Sequence, residues 1–142
     1  MLRGRFESAG EMSAEELQEA YEDLLVEAIE EAGVETVADQ SGIDREKLEA
    51  LVDGESPDVT LEEAAAILGA DEELPDTETI EAEARDILLM GMSIAVLDVE
   101  AIAAGINDEL EPKEIQQKAE GRFPMTLEEY AILHSYIESK KR

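Results

Sequence analysis

Apolar residues recur at intervals of three and four along most of the chain, the spacing that places them on one face of an α-helix. Three short helices are predicted in residues 34–70. Gly42 and Gly54 can end the first two, because Gly adopts the left-handed backbone at little cost. Thr60 and Glu63 form a T-x-x-E capping box that starts the third. Two helices joined by a tight Gly-containing corner, followed by a packing helix, indicate a helix-turn-helix unit.

A long amphipathic helix is predicted before this unit and another after it. Ser13 and Glu16 form a capping box for the first, which runs to about residue 32. The second spans about residues 78–97, and its centre, ILLMGMSIAVL, is apolar nearly all round. Such a helix is usually surrounded by protein, so we expect a buried spine against which both halves pack.

The pattern of the first half returns in the second. TLEEYAILHSYI from Thr126 repeats TLEEAAAILGAD from Thr60, 66 residues earlier, and Gly121 matches Gly54. The long helices align when Leu24-Leu25 is placed on Leu89-Met90, an offset of 65. Internal duplication of a four-helix unit accounts for these coincidences.

The predicted fold is therefore all-α, with about eight helices in two tandem helix-turn-helix-like units packed on a shared core. The expected division is an N-terminal arm (1–12), repeat 1 (13–70), an acidic linker (71–77), repeat 2 (78–139) and a basic tail (140–142).

Charge separates this chain from most soluble proteins. Thirty-eight Asp and Glu against 11 Lys and Arg give a net charge of −27 and an isoelectric point near 4.1. Self-repulsion on that scale opposes compaction in dilute buffer, whereas at about 1 M salt the Debye length falls to about 3 Å. The composition favours a folded protein of a salt-accumulating cytoplasm.

Other classes of protein are disfavoured. The chain has no Cys, which excludes disulfides and thiolate chemistry. No signal peptide is recognisable near Met1, and the apolar run 87–96 is shorter than the roughly 20 residues of a membrane span. We therefore expect a cytoplasmic protein that does not contact a membrane.

Two resemblances add to this interpretation. The step from Ala38 to Gly42, the aliphatic Ile43, the apolar Leu48 and the closing Gly54 resemble the Cro/CI-like helix-turn-helix domains. The whole chain is similar to a haloarchaeal family of uncharacterised proteins, through MLRGRF, GESPDVTLEEAAAIL, LLMGMSIAVLDVEAIA and EGRFPMTLEEYAILH. The resemblance implies a helix-turn-helix fold and supplies no activity.

Binding of DNA is the first function to consider for such a fold, whose second helix reads base edges. In repeat 1 that helix presents Asp44, Arg45, Glu46 and Glu49; three of the four are acidic and would repel phosphate. Repeat 2 presents Gln, which can pair with adenine, and basic residues that can contact guanine or phosphate. Its predicted contact residues are Lys113, Gln116, Gln117, Lys118 and Arg122. The same side chains could dock an acidic protein, or serve as ordinary partners of a helix C-terminus.

Met90, Gly91 and Met92 form a predicted dimer face, because Gly allows close helix approach and Met adapts to varied partners. The alternative is that Met90 and Met92 fill the core. The single His134 lies among apolar residues, which favours a packed structural role over catalysis. We predict no catalytic, cofactor-binding or metal-binding residue and no cofactor.

The leading hypothesis is a non-enzymatic, transcription-related regulator that contacts DNA or the transcription machinery through repeat 2. The alternative is a protein-only adaptor or dimerisation module that reuses the fold without binding DNA. A small-molecule site between the halves is a third interpretation.

Overall fold

Eight α-helices make up the computed structural model, which describes residues 6–141; a short 3₁₀ helix, Ala9–Glu11, precedes them. The helices are α1 (Ala14–Ala32), α2 (Val34–Ser41), α3 (Arg45–Val52), α4 (Leu61–Gly69), α5 (Thr77–Ala95), α6 (Val99–Gly105), α7 (Pro112–Ala119) and α8 (Leu127–Ser139). The described range contains one isolated β-bridge and no strand. The predicted all-α class and helix number are confirmed. Residues 1–5 of the predicted arm and Arg142 of the predicted tail lie outside the described residues.

The helix boundaries follow from local chemistry in the sequence. Capping boxes that pair a hydroxyl with a carboxylate start three helices: Ser13 with Glu16 at α1, Thr60 with Glu63 at α4, and Thr126 with Glu129 at α8. In each box the hydroxyl and the carboxylate satisfy backbone N–H groups that the first turn leaves without helical partners. Gly42 ends α2 in the left-handed conformation, with φ at 75°, which only Gly adopts cheaply.

Four helices form the centre of the molecule, two from each half. Helix α1 packs against α4 of its own half and α8 of the other, and α5 packs against α8 and α4 in the corresponding way. The pairs α2–α3 and α6–α7 lie outside this group. Buried apolar residues of both halves form one continuous cluster.

The two halves meet through a symmetric pair of backbone hydrogen bonds beside Thr60 and Thr126. The N–H of Leu61 donates to the carbonyl of Met125 at 2.7 Å, and the N–H of Leu127 donates to the carbonyl of Val59 at 2.8 Å. Leu61 and Leu127 are 66 positions apart, the offset at which the sequence repeats there. The bridge thus joins corresponding points of the two halves.

The first helices of the halves correspond differently from the predicted alignment. Helices α1 and α5 each have 19 residues, and four of their buried positions coincide at an offset of 63, among them Leu17 with Ile80 and Leu25 with Leu88. The predicted offset of 65 was wrong by two residues. One residue separates α1 from α2, whereas three separate α5 from α6. The second half therefore has two additional residues in this connection.

Burial of α5 on all sides was also predicted, and this was wrong. Its inner face is buried, but Leu89, Met90 and Ile94 are 41%, 52% and 47% exposed. Helices α4 and α8 cover the inner face, and α6 leaves at an angle of 93° to α5, so it does not fold back over the outer face.

Candidate interaction surfaces

Helix α7 carries most of the side chains predicted to contact DNA or a partner. Lys113 and Gln116 are exposed and Gln117 is half-buried. Glu111 and Glu114 complete a capping box at the start of the helix, so carboxylates flank Lys113 on both sides. The accessible part of this surface is therefore mixed in charge rather than basic.

Lys118 points toward α8 instead of solvent. Its Nζ lies 2.5 Å from Oε2 of Glu129 and 3.7 Å from Oε2 of Glu114, and its side chain is 17% exposed. A corresponding pair joins Lys47 to Glu63 at 3.2 Å in the first half. In both halves a Lys of the third helix thus binds the capping-box Glu of the fourth, which fixes the two helices together.

Arg122 follows α7 and is largely exposed. Its Nε lies 3.5 Å from Oε1 of Glu120, which partly neutralises its charge. Of the residues predicted to contact DNA or a partner, Lys113, Gln116 and Arg122 are therefore accessible. Lys118 instead forms an ion pair between α7 and α8.

The outer face of α5 carries a strip of exposed apolar side chains. Leu89, Met90 and Ile94 lie along it, and Val96, just beyond the helix, is 72% exposed. Residues 87–97 include no charged side chain. We call this outer face, with Val96, the α5 strip. Contiguous exposed apolar surface is uncommon on monomeric proteins and marks sites of interaction.

A shallow apolar groove of about 320 Å³ runs beside the α5 strip, between α5, α6 and α7. Its floor consists of aliphatic groups, and its edge carries one amide and two carboxylates. The lining residues are Leu89, Met92, Asp98, Val99, Gln116, Ala119 and Glu120. Sequence reasoning missed this groove, although the all-round apolarity of residues 87–97 was the signal for it.

The predicted dimer face of Met90, Gly91 and Met92 does not lie on one surface. Gly91 is buried, and a Cβ built there would come 2.7 Å from Cγ2 of Ile137 on α8. The close approach that Gly permits is therefore made within the chain. Met92 packs partly against the core, whereas Met90 faces outward and does not fill the core.

A small polar cluster is buried between α1 and α8. The hydroxyl of Tyr21 is hydrogen-bonded to Nδ1 of His134, and Tyr130 donates to the carbonyl of Ala84 at 2.9 Å. Burial raises the pKa of the Tyr21 phenol, which keeps it protonated. Burial, with the positive charge of Lys141, lowers the pKa of His134 to about 3. A neutral, enclosed imidazole fits the packed position predicted for it.

Residues 6–141 contain no group of three or more His, Asp or Glu side chains placed to share a metal ion. No individual helix of residues 6–141 meets the length and apolarity of a membrane span; α5 and α6 do so only when combined, across their 93° bend.

Comparisons with known proteins identify the family. A comparison with curated proteins and one with solved structures each found no match. A family model does match, from Leu17 in the first turn of α1 to Lys140 directly after α8, and so covers both halves with the α5 strip and the groove. The chain belongs to the DUF5791 family, a family of unknown function, whose model matches residues 17–140.

Proposed function

We propose that the protein is a non-enzymatic protein-binding module, an adaptor or dimerisation unit, whose partner docks on the α5 strip and its groove. One observation carries this proposal: in the last two turns of α5, Met90 and Ile94 are exposed at positions where α1 has Glu27 and Glu31. At the offset of 63, seven exposed positions of α1 correspond to exposed positions of α5, and Asp23 with Asp86 is acidic in both. The last three of these pairs differ: Glu27 and Met90, Glu30 and Ser93, and Glu31 and Ile94.

The comparison of α1 with α5 indicates which residue types the fold tolerates at these exposed positions. The two helices have the same length and share four buried positions, which place the same side of each helix against the core, so glutamate at these outward sites is compatible with the fold. A chain that carries 38 acids nevertheless places Met and Ile there in its second half. Apolar side chains exposed to water gain about 25 cal/mol for each Å² that a partner covers. Contact with another macromolecule is the function that accounts for apolar residues at these exposed positions.

The test is affinity purification of the tagged protein from its native host at the host's own salt concentration. The double variant Met90→Glu/Ile94→Glu carries at each site the residue type found in α1, so its helix content is expected to be unchanged. Val52→Glu is the matched control, since Val52 is an exposed apolar residue of α3. We expect the bound proteins to be lost only from the double variant. Identical sets from all three proteins would contradict the proposal.

Contact with DNA or the transcription machinery through α7 is the second candidate. It is favoured by the exposure of Lys113, Gln116 and Arg122 near one helix, whereas Arg45 in α3 is paired with Glu35 and Glu49. Ion pairing of Lys118 and the net charge of −27 weigh against it.

Chromatin immunoprecipitation with sequencing from the native host tests this second candidate. Discrete peaks that share a sequence, and that disappear with Lys113→Glu/Gln116→Glu, are the expected result of DNA recognition. A flat profile from a folded, well-expressed protein would contradict it and leave the adaptor function.

We further propose a haloarchaeal, cytoplasmic setting for this function. The support is the acidic composition, since apolar docking gains strength in concentrated salt where charge–charge attraction is screened.

A further inference from the structure

We propose that the occupant of the α5 strip is a second copy of this chain, so that the protein is a two-fold symmetric dimer whose axis crosses α5 near Ser93. This inference rests on the proposed function, because it names the partner for that same surface. Three features carry it: the charge distribution, the spacing of the apolar residues and the adjacent groove.

Charge determines where two copies can approach one another. Each copy carries a net charge of −27, so most pairings of their surfaces bring carboxylates together. Residues 87–97 carry no charge, and the nearest acids in sequence are Asp86 and Asp98, at the two ends of this segment. Pairing the strip of one copy with the strip of another therefore buries no carboxylate at the centre of the contact. Those acids would lie at the rim, where salt screens them.

The geometry of the strip suits a self-complementary contact. A closed two-fold dimer needs one patch that matches itself. Met90, Ser93 and Ile94 are spaced by three and four residues, so they lie on one side of the helix and form a stripe. The helical part of this segment, residues 87–95, extends about 13 Å, or about two and a half turns. Ser93 is small and lies at the middle, which lets two helices approach closely, with Met90 and Ile94 on either side.

The groove beside the strip provides the remaining contact area. A stable protein–protein interface commonly covers about 800 Å² per partner, more than a single helix face offers. In a two-fold crossing near Ser93 in which the two α5 helices run in similar directions, opposite sides of the strips face each other, so the side of one copy that carries Ile94 lies over the α5–α7 side of the other. The groove of about 320 Å³ between α5 and α7 can then accept an aliphatic side chain. Its floor of Leu89, Val99 and Ala119 matches such a side chain in polarity.

Sedimentation equilibrium of the full chain in concentrated KCl tests the inference. We expect a dimer for the wild type, and a dissociation constant that rises about a hundredfold or more for Met90→Gln/Ile94→Gln, because central apolar contacts dominate interfaces. Gln adds no charge, so electrostatic repulsion is not changed. Val52→Gln, which alters an exposed apolar residue of α3, is expected to remain dimeric. Circular dichroism confirms that all three proteins are equally helical.

A site-specific cross-link tests the position of the axis. The chain has no Cys, so one introduced thiol is unique. Ser93→Cys is expected to form a covalent dimer with a short bis-maleimide. Glu30→Cys, at the corresponding exposed position of α1, is expected to remain monomeric under the same conditions.

The outcomes separate this inference from the proposed function. A wild type that stays monomeric at all concentrations would overturn the second-copy inference, while partner capture that still depends on Met90 and Ile94 would preserve the binding function. A dimer that persists in Met90→Gln/Ile94→Gln, or a cross-link at Glu30→Cys but not at Ser93→Cys, would also overturn the inference. Equal partner capture by the wild type and the α5 variant would contradict the proposed function itself.

Discussion

At the scale of single residues, the pair of Tyr21 and His134 is the polar contact that joins the first and last helices inside the core. Tyr21→Phe removes the O–H donor and leaves Nδ1 of a buried imidazole without that bond. We expect a loss of about 1–3 kcal/mol in the free energy of unfolding, the cost of an unsatisfied buried polar group. Urea titration measures it. A second variant, Tyr21→Phe/His134→Leu, should lose less than the sum of the single changes, since it removes both polar partners; strict additivity would contradict the coupling.

Protonation of the same imidazole gives a pH dependence. The pKa of His134 is about 3 in the folded protein against an ordinary value of 6.5. Between these two pH values the imidazole is protonated in the unfolded chain and neutral in the folded chain. The contribution of the neutral imidazole to the free energy of unfolding is fully present above pH 6.5 and is lost as the pH is lowered toward 3. The slope approaches about 1.4 kcal/mol per pH unit, the value for one proton.

The measurement is the free energy of unfolding between about pH 7.5 and pH 5, above the range in which most carboxylates titrate, at constant KCl. His134→Gln retains an acceptor for Tyr21 and does not titrate, so its stability should change less over this interval. Parallel curves for the two proteins would show that the imidazole is not held neutral.

At the scale of elements, the bridge beside Thr60 and Thr126 predicts an unusual pattern of amide exchange. The first N–H groups of a helix usually lack partners and exchange quickly. The N–H groups of Leu61 and Leu127 instead bond across the two halves. We expect both amides to exchange much more slowly than those of Glu62 and Glu128, the next residues in each helix. Hydrogen exchange followed by NMR measures this; fast exchange at Leu61 with slow exchange at Leu127 would contradict a symmetric junction.

Local chemistry is what the sequence predicted well at this scale. The boxes of Thr60 and Thr126 and the end of α2 at Gly42 depend on residues within one turn, so their signals are complete in the sequence. The pairing of Lys118 with Glu129 could not be found in the same way. It depends on how α7 is directed onto α8, and Lys near a helix C-terminus is as common on open surfaces.

At the scale of the whole molecule, the exposed side of α5 shows the limit of periodicity. A helix that is apolar all round is usually buried, and the hydrophobic pattern cannot tell burial by the same chain from burial by another. The direction of α6 after Val96 determines whether the outer face of α5 is covered by the same chain, and it leaves Met90 and Ile94 exposed. The offset of 65 between the first helices failed for a related reason. Two residues turn a helix by about 200°, but residues 87–97 are apolar nearly all round, so the outer face of α5 matched the buried face of α1 as well as the inner face did.

Salt dependence is the last property that belongs to the entire chain. Most of the 38 acids lie on solvent-facing sides of helices, and the first half has few bases to offset them. In dilute buffer their mutual repulsion opposes folding, whereas at about 1 M salt the Debye length is about 3 Å and only adjacent charges interact. We expect circular dichroism to show loss of helix in dilute buffer and its recovery in concentrated KCl. Recovery in molar KCl but not in an isosmotic sugar would separate screening of charge from a general solute effect. Equal helicity with and without salt would refute adaptation to concentrated salt, and would also remove the argument that the uncharged α5 strip is where two copies meet.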